Sequence, residues 1–182
     1  MKFSFALGLL IIYQGICYGQ NKSNEIGLRT LTKLDLGLQG IGATYEPRLS
    51  KSLVSELSLG FGGGYNIGES SLEYQFIKPA LYFSVTPKFY YNIKKRIEAG
   101  KSTANNSGNY FGIRLKFNTP LYKRNDLIRN SFLANIHWGL QRPVDKRWTF
   151  NSHIGAGYAH DVDYGFGTIY PAIDFKFSYI IK

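Results

Sequence analysis

Apolar and polar side chains alternate nearly one for one along most of this chain, the period of β-strands with two unlike faces. Across 52–65, Leu53, Leu57, Leu59 and Phe61 share one face, and Glu56, Ser58, Gly60 and Gly62 the other. Across 75–91, Ile77, Leu81, Phe83, Val85 and Phe89 alternate with Lys78, Tyr82, Ser84, Thr86 and Lys88. The same pattern runs through 110–118, 131–141, 147–161 and 168–181, where Ile113, Ile136, Ile154 and Ile173 sit on apolar faces. These are six strands. Residues 33–46 predict a seventh, whose apolar phase slips near Gly40, from Leu34, Leu36 and Leu38 to Ile41, Ala43 and Tyr45. A β-bulge accounts for such a slip. An up-and-down barrel in lipid needs an even number, and residues 25–32 are the candidate for the eighth.

Alternation alone also fits a soluble sandwich, so the choice rests on what occupies each face. No charged residue falls on the apolar faces, as lipid would enforce, since Lys or Arg near mid-bilayer costs about 2–4 kcal/mol. The polar faces are rich in glycine (Gly60, Gly62, Gly112, Gly139, Gly155, Gly157). Glycine weakens a solvent-facing strand, but inside a narrow barrel it leaves room for Arg and Lys. Aromatic residues gather near strand ends, Tyr91 and Tyr110 around one connection and Trp138 and Trp148 around another. Membrane-interface girdles belong there. The expected fold is therefore all-β, an antiparallel up-and-down transmembrane β-barrel of eight strands. Pro79, Pro87 and Pro171 lie within the strands and are expected near strand ends or bulges.

Connections alternate in character. Residues 141–147 form a tight turn, 47–52 a short one, and 62–74, 119–130 and 161–167 are longer and glycine-rich or polar. Segment 92–109 is long, basic and polar, although parity places it with the short turns.

The N-terminus changes the compartment. Lys2 precedes an apolar run from Phe3 to Ile12, and Cys17-Tyr18-Gly19 places small residues where a signal peptidase cuts. Residues 1–19 are expected to be a signal peptide cleaved before Gln20, leaving 20–182 as the barrel domain. The run is shorter than the roughly 20 residues of a helical span. An N-terminal anchor or a lipoprotein at Cys17 are the alternatives, the second without a lipobox. Cleavage removes the only cysteine of the 182 residues, and with it any disulfide scaffold, Cys-ligated metal or Cys nucleophile. The net charge is +10. For an exported chain, anionic lipid headgroups are a better match than nucleic acid.

The polar faces hold the candidate chemistry. Glu56, Lys78, Lys88, Arg114, Lys116, Arg147, Asp174 and Lys176 predict an ion-paired interior, and eight strands enclose a space that side chains can fill. Pairing Gln141 with Arg147 would set His137 opposite Asn151 and His153 opposite Asn135, one polar patch. A metal or acid–base role needs a third ligand or a nucleophile with its base, and no such spacing is present. A hydrogen-bonded plug is the simpler role. His160, Asp161 and Asp163 at a loop start could bind a cation or serve a lipid-modifying rim site. Gly100-Lys101-Ser102 lacks the P-loop glycine, since Lys95 stands there.

Three stretches carry a family likeness: 87–92 (Pro-Lys-Phe-Tyr-Tyr-Asn), 100–110 (Gly-Lys-Ser-Thr-Ala-Asn-Asn-Ser-Gly-Asn-Tyr) and the aromatic-alternating C-terminus with Phe175, Phe177 and Tyr179. They resemble small outer-membrane β-barrel proteins of Bacteroidota, eight-stranded barrels of the OmpA/OmpX-like kind. The chain ends on Lys182, where many such proteins end on an aromatic residue. The resemblance implies an outer-membrane location, lipid neighbours including lipopolysaccharide, and assembly by the barrel-assembly machinery. It implies no cofactor and no catalytic residue. The expected role is structural, or loop-mediated binding of an envelope or extracellular ligand. The alternatives are a lipid-modifying enzyme at the outer rim and a soluble secreted ligand-binding barrel.

Overall fold

In a computed structural model, which describes residues 27–121 and 128–181, eight antiparallel strands form one sheet that closes on itself in sequence order. They are β1 (Leu31–Gly37), β2 (Gly40–Glu46), β3 (Leu53–Ile67), β4 (Leu72–Phe89), β5 (Gly108–Pro120), β6 (Ser131–Pro143), β7 (Trp148–Asp161) and β8 (Gly167–Ile180). The ring closes where Lys33–Gly37 of β1 pairs with Lys176–Ile180 of β8. Among the described residues, helix is confined to α1 (Ile93–Glu98) and a 3-10 turn at Ala104–Asn106. No described helix is long and apolar enough to cross a membrane, which says nothing of strands. The leader expected at 1–19 lies outside the described residues. The separate strand expected at 25–32 is not formed: residues 27–30 carry no strand, and Leu31 and Thr32 open β1.

The strand count is eight, but not by the expected route. Residues 33–46 are no bulged single strand. They are the hairpin β1–β2, turning at Leu38-Gln39. Gly40 opens β2 at φ +106°, a conformation that excludes a side chain, and a Cβ there would lie 2.0 Å from the Phe61 carbonyl. The phase slip at Gly40 is thus a change of strand. This hairpin is also the low side of the wall, seven residues per strand against 18 in β4.

Three prolines sit where the ladder can spare an N–H. Pro79 flanks a bulge: Gly63 pairs Pro79 but Gly64 pairs Gln75, which leaves 76–78 unpaired. Pro87 lies where β4–β5 pairing lapses between Val85–Leu115 and Lys88–Gly112. Pro171 pairs only with β7, because β1 reaches no farther along β8 than Lys176. The expected loop at 62–74 shrinks to 68–71, since β3 and β4 extend toward each other.

The faces are inverted relative to a water-soluble fold. Leu36, Phe61, Phe111, Ile136, Ile154 and Ile173, from six strands, all point outward and are at least half exposed. Lysines, arginines and carboxylates fill the inside. Two apolar clusters bracket this charged middle. At the end where β1 begins and β8 finishes, Leu28, Val54, Tyr90, Ile93 and Tyr110 pack together. At the opposite end, Tyr65, Ile67, Leu133 and Ala159 pack with Leu72, Tyr74 and Tyr170.

Candidate functional site

The interior is the most elaborate site in the described residues, and it is built by alternation. Inward positions of β1, β2, β3, β4, β5 and β8 deliver Lys33 and Asp35, Glu46, Glu56, Lys88, Arg114 and Lys116, and Asp174 and Lys176 to one axis, all buried. Glu56 is the hub. Its Oε2 accepts from Lys88 at 2.5 Å and Lys33 at 3.3 Å, and its Oε1 from Lys176 at 2.7 Å. Lys33 also pairs with Glu46 at 2.7 Å, and Lys176 with Asp35 at 2.7 Å. Arg114 holds Asp174 at 2.8 Å. Charges so deep in low dielectric persist only when paired and hydrogen-bonded.

Lys116 is the exception. Among the described residues no carboxylate lies within ion-pair distance of it. Its ammonium donates to Gln39 Oε1 and to the Tyr65 hydroxyl at 3.1 Å, and lies 5.0 and 4.7 Å from the Tyr65 and Tyr82 ring centroids. Aromatic faces and neutral oxygens replace an anion there.

The histidine patch is present with a different register. β6 runs on to Pro143, and a four-residue turn (144–147) follows, so Gln141 pairs Asn151 rather than Arg147. His137 therefore lies opposite Gly155, and His153 opposite Gly139. The two rings still meet diagonally, stacked with centroids 4.0 Å apart. Asn135 Oδ1 is 2.7 Å from His137 Nδ1, while Asn151 accepts from Tyr110 and donates to Gln141, both at 2.9 Å. No described cluster of three or more His, Cys, Asp or Glu could hold a metal.

Several expected placements are corrected. Lys78 lies in the bulge of β4, half-exposed and outside the charged layer. Arg147 is exposed in a turn and donates to the Tyr179 hydroxyl at 3.0 Å. Tyr110 is no girdle residue, because it is fully buried inside and its neighbour Phe111 takes the outward position. The strand's own alternation had already assigned it the inner face. Tyr91, Trp138 and Trp148 do point outward; Trp138 donates to the Tyr91 hydroxyl at 2.9 Å, and Trp148 packs edge-on against Tyr179. The interior glycines make room for rings more than for Arg and Lys. A Cβ on Gly112 would lie 2.4 Å from His137, one on Gly139 2.4 Å from Tyr110, and one on Gly60 2.6 Å from the Tyr82 hydroxyl.

Sequence reasoning missed the seal at the end where β1 begins and β8 finishes. Residues 90–107 fold across that end. Asn105 and Asn106 adopt left-handed φ of 55° and 56°, which asparagine tolerates. Asn106 exchanges two 2.8 Å hydrogen bonds with the Arg29 backbone and reaches Glu46 at 2.5 Å. Gln141 donates to the Asn105 carbonyl at 2.7 Å. Burial raises the Tyr90 phenol well above its ordinary pKa, which keeps it protonated beneath this seal. At the far end, Asp161 pairs with Arg129 at 3.0 Å and accepts the N–H groups of Asp163 and Tyr164 at 2.9 Å, so it clasps its own loop. His160 is half-exposed on β7 and belongs to no cluster with metal-ligand geometry.

No family model matches the sequence, and no curated protein and no solved structure matches it.

Proposed function

We propose that this chain is a transmembrane β-barrel of a bacterial outer membrane, exported through its leader. Its interior is filled rather than conducting, and its role is structural or loop-mediated binding. One observation carries this reading: large apolar side chains cover the outside of the ring while nine Lys, Arg, Asp and Glu side chains of its charged layer are buried along the axis. Monomeric proteins in water rarely leave contiguous apolar patches beyond a few hundred Å². A hydrocarbon solvent reverses that preference. The stacked histidines and the ion-paired hub have the geometry of a plug.

Ile113 tests it, lying outward on β5 and 53% exposed. In a bilayer, Ile113→Arg should destabilise the inserted protein by about 2–4 kcal/mol. Wild type should stay with membranes through carbonate washing. A freely released protein, or an Ile113→Arg variant as stable as wild type, would overturn the membrane reading.

A further inference from the structure

The Lys116 ammonium is buried, and its described surroundings do not neutralise it. It is 4% exposed, and its hydrogen-bond acceptors among the described residues are uncharged, Gln39 Oε1 and the Tyr65 hydroxyl. These take two of its three N–H groups. The third has no acceptor among the described residues. The Tyr65 and Tyr82 rings, at 5.0 and 4.7 Å, attract the charge without cancelling it.

A void of about 30 Å³ lies beside Lys116, bounded also by Gln39, Arg114, His153, Tyr170 and Asp174. A water needs roughly 10–15 Å³, so the void takes one or two small occupants and excludes a sulfate or a phosphate. Its wall is rich in unspent donors. The Gln39 side-chain oxygen accepts from both Tyr65 and Lys116, while its amide N–H groups donate to no described residue. The Tyr170 hydroxyl accepts from Asn135 at 3.0 Å, and its own hydrogen has no described acceptor. His153 offers one donor and one acceptor, which favours neither sign of ligand. Asp174 opposes an anion, but its Oδ2 is held by Arg114 at 2.8 Å. The wall therefore has two cations, Lys116 and Arg114, against one carboxylate. The neighbouring void of about 20 Å³ is different. There Asp35, Glu56 and Asp174 face Arg114, Lys116 and Lys176, and the charges already balance.

We propose that the larger void binds a halide-sized monovalent anion. Lys116, the Gln39 amide and the Tyr170 hydroxyl donate to it, and Arg114 stands behind as a second cation. A buried charge is retained where it is paired and hydrogen-bonded, and the anion gives Lys116 that pairing. Gln39 lies half-buried in the β1–β2 turn at the low rim of the wall, so rotation of its side chain opens a route in. The site stands whichever solvent surrounds the ring, because it uses only the interior.

The test compares urea unfolding of the mature chain in sodium chloride and in sodium gluconate at equal ionic strength. Gluconate is too large for the void. The protein is folded in zwitterionic micelles, or kept in plain buffer where it is soluble without them, so failure of the membrane reading leaves this test intact. With chloride at roughly ten times its Kd, the folding equilibrium shifts about tenfold toward the folded state. Wild type should show a shift of that size on chloride titration. Lys116→Met should abolish it, whereas Lys146→Gln, which removes an exposed turn cation, should keep it. Crystals grown with bromide should give an anomalous peak between Lys116 and Tyr170, which decides the matter even where Lys116→Met fails to fold. No chloride dependence in wild type, the same dependence in Lys116→Met, or water alone in the void of the bromide crystals would overturn the site.

Discussion

Glu56→Gln removes one negative charge from the hub without changing its shape. The charged layer holds five cations (Lys33, Lys88, Arg114, Lys116, Lys176) and four carboxylates (Asp35, Glu46, Glu56, Asp174). The substitution doubles its excess positive charge and turns an amide toward three ammonium groups. None is stripped bare: Lys33 and Lys88 keep Glu46 at 2.7 and 3.6 Å, and Lys176 keeps Asp35 at 2.7 Å. Breaking a buried pair by deleting one partner costs about 3–5 kcal/mol. The surviving partners place Glu56→Gln at the lower end, about 3 kcal/mol, or about two orders of magnitude in the folding equilibrium. Asp174→Asn belongs at the upper end, because Asp174 is the one carboxylate within ion-pair distance of Arg114 among the described residues. Reversible urea unfolding in lipid vesicles, followed through Trp138 and Trp148 fluorescence, measures both. A loss below about 1 kcal/mol for Glu56→Gln would refute a sealed interior, since only water reaching the hub could screen its charges so well.

Gly112→Ala should cost about 1–3 kcal/mol, because its Cβ would meet His137 at 2.4 Å; the same urea titration in an H137A background should recover most of that loss. Lys116→Met should be neutral or stabilising, since Lys116 has no described carboxylate partner, whereas Lys88→Met should destabilise by about 3 kcal/mol or more. A stability loss for Lys116→Met equal to that for Lys88→Met would show that both lysines are paired alike. In planar bilayers the folded protein should give no stepwise conductance, because apolar clusters close both ends of its axis; regular current steps in purified wild type would contradict this.

Period-two patterning made six strands legible, together with the inward direction of Glu56, Arg114, Lys116, Asp174 and Lys176. Lys33, Asp35 and Glu46 were missed for one reason. Reading 33–46 as a single strand hid a hairpin whose two arms each alternate correctly. The change of phase at Gly40 was the available signal, since a glycine between two out-of-phase runs marks a turn as readily as a bulge. The register of His137 depended on where β6 stops, and two further residues of strand at Gln141 shift every pair by four. The seal at the end where β1 begins was not legible, because segment 92–109 has no period at all. Its fold depends on Asn106 meeting Arg29 and Glu46, contacts between distant parts of the chain.

The short β1–β2 hairpin has a consequence for whatever surrounds the molecule. Seven residues of strand extend at most about 24 Å, while the 18 of β4 extend about 60 Å. The rim therefore dips above Leu38, where Gly37, Gly40, Phe61, Gly62 and Phe175 border a hollow of about 530 Å³ on the outer surface. On the proposed membrane reading, a bilayer around this cylinder would not be equally thick on all sides. The leaflet at the hairpin end would sag toward the notch, and neighbours with short acyl chains or short walls of their own would gather on that flank.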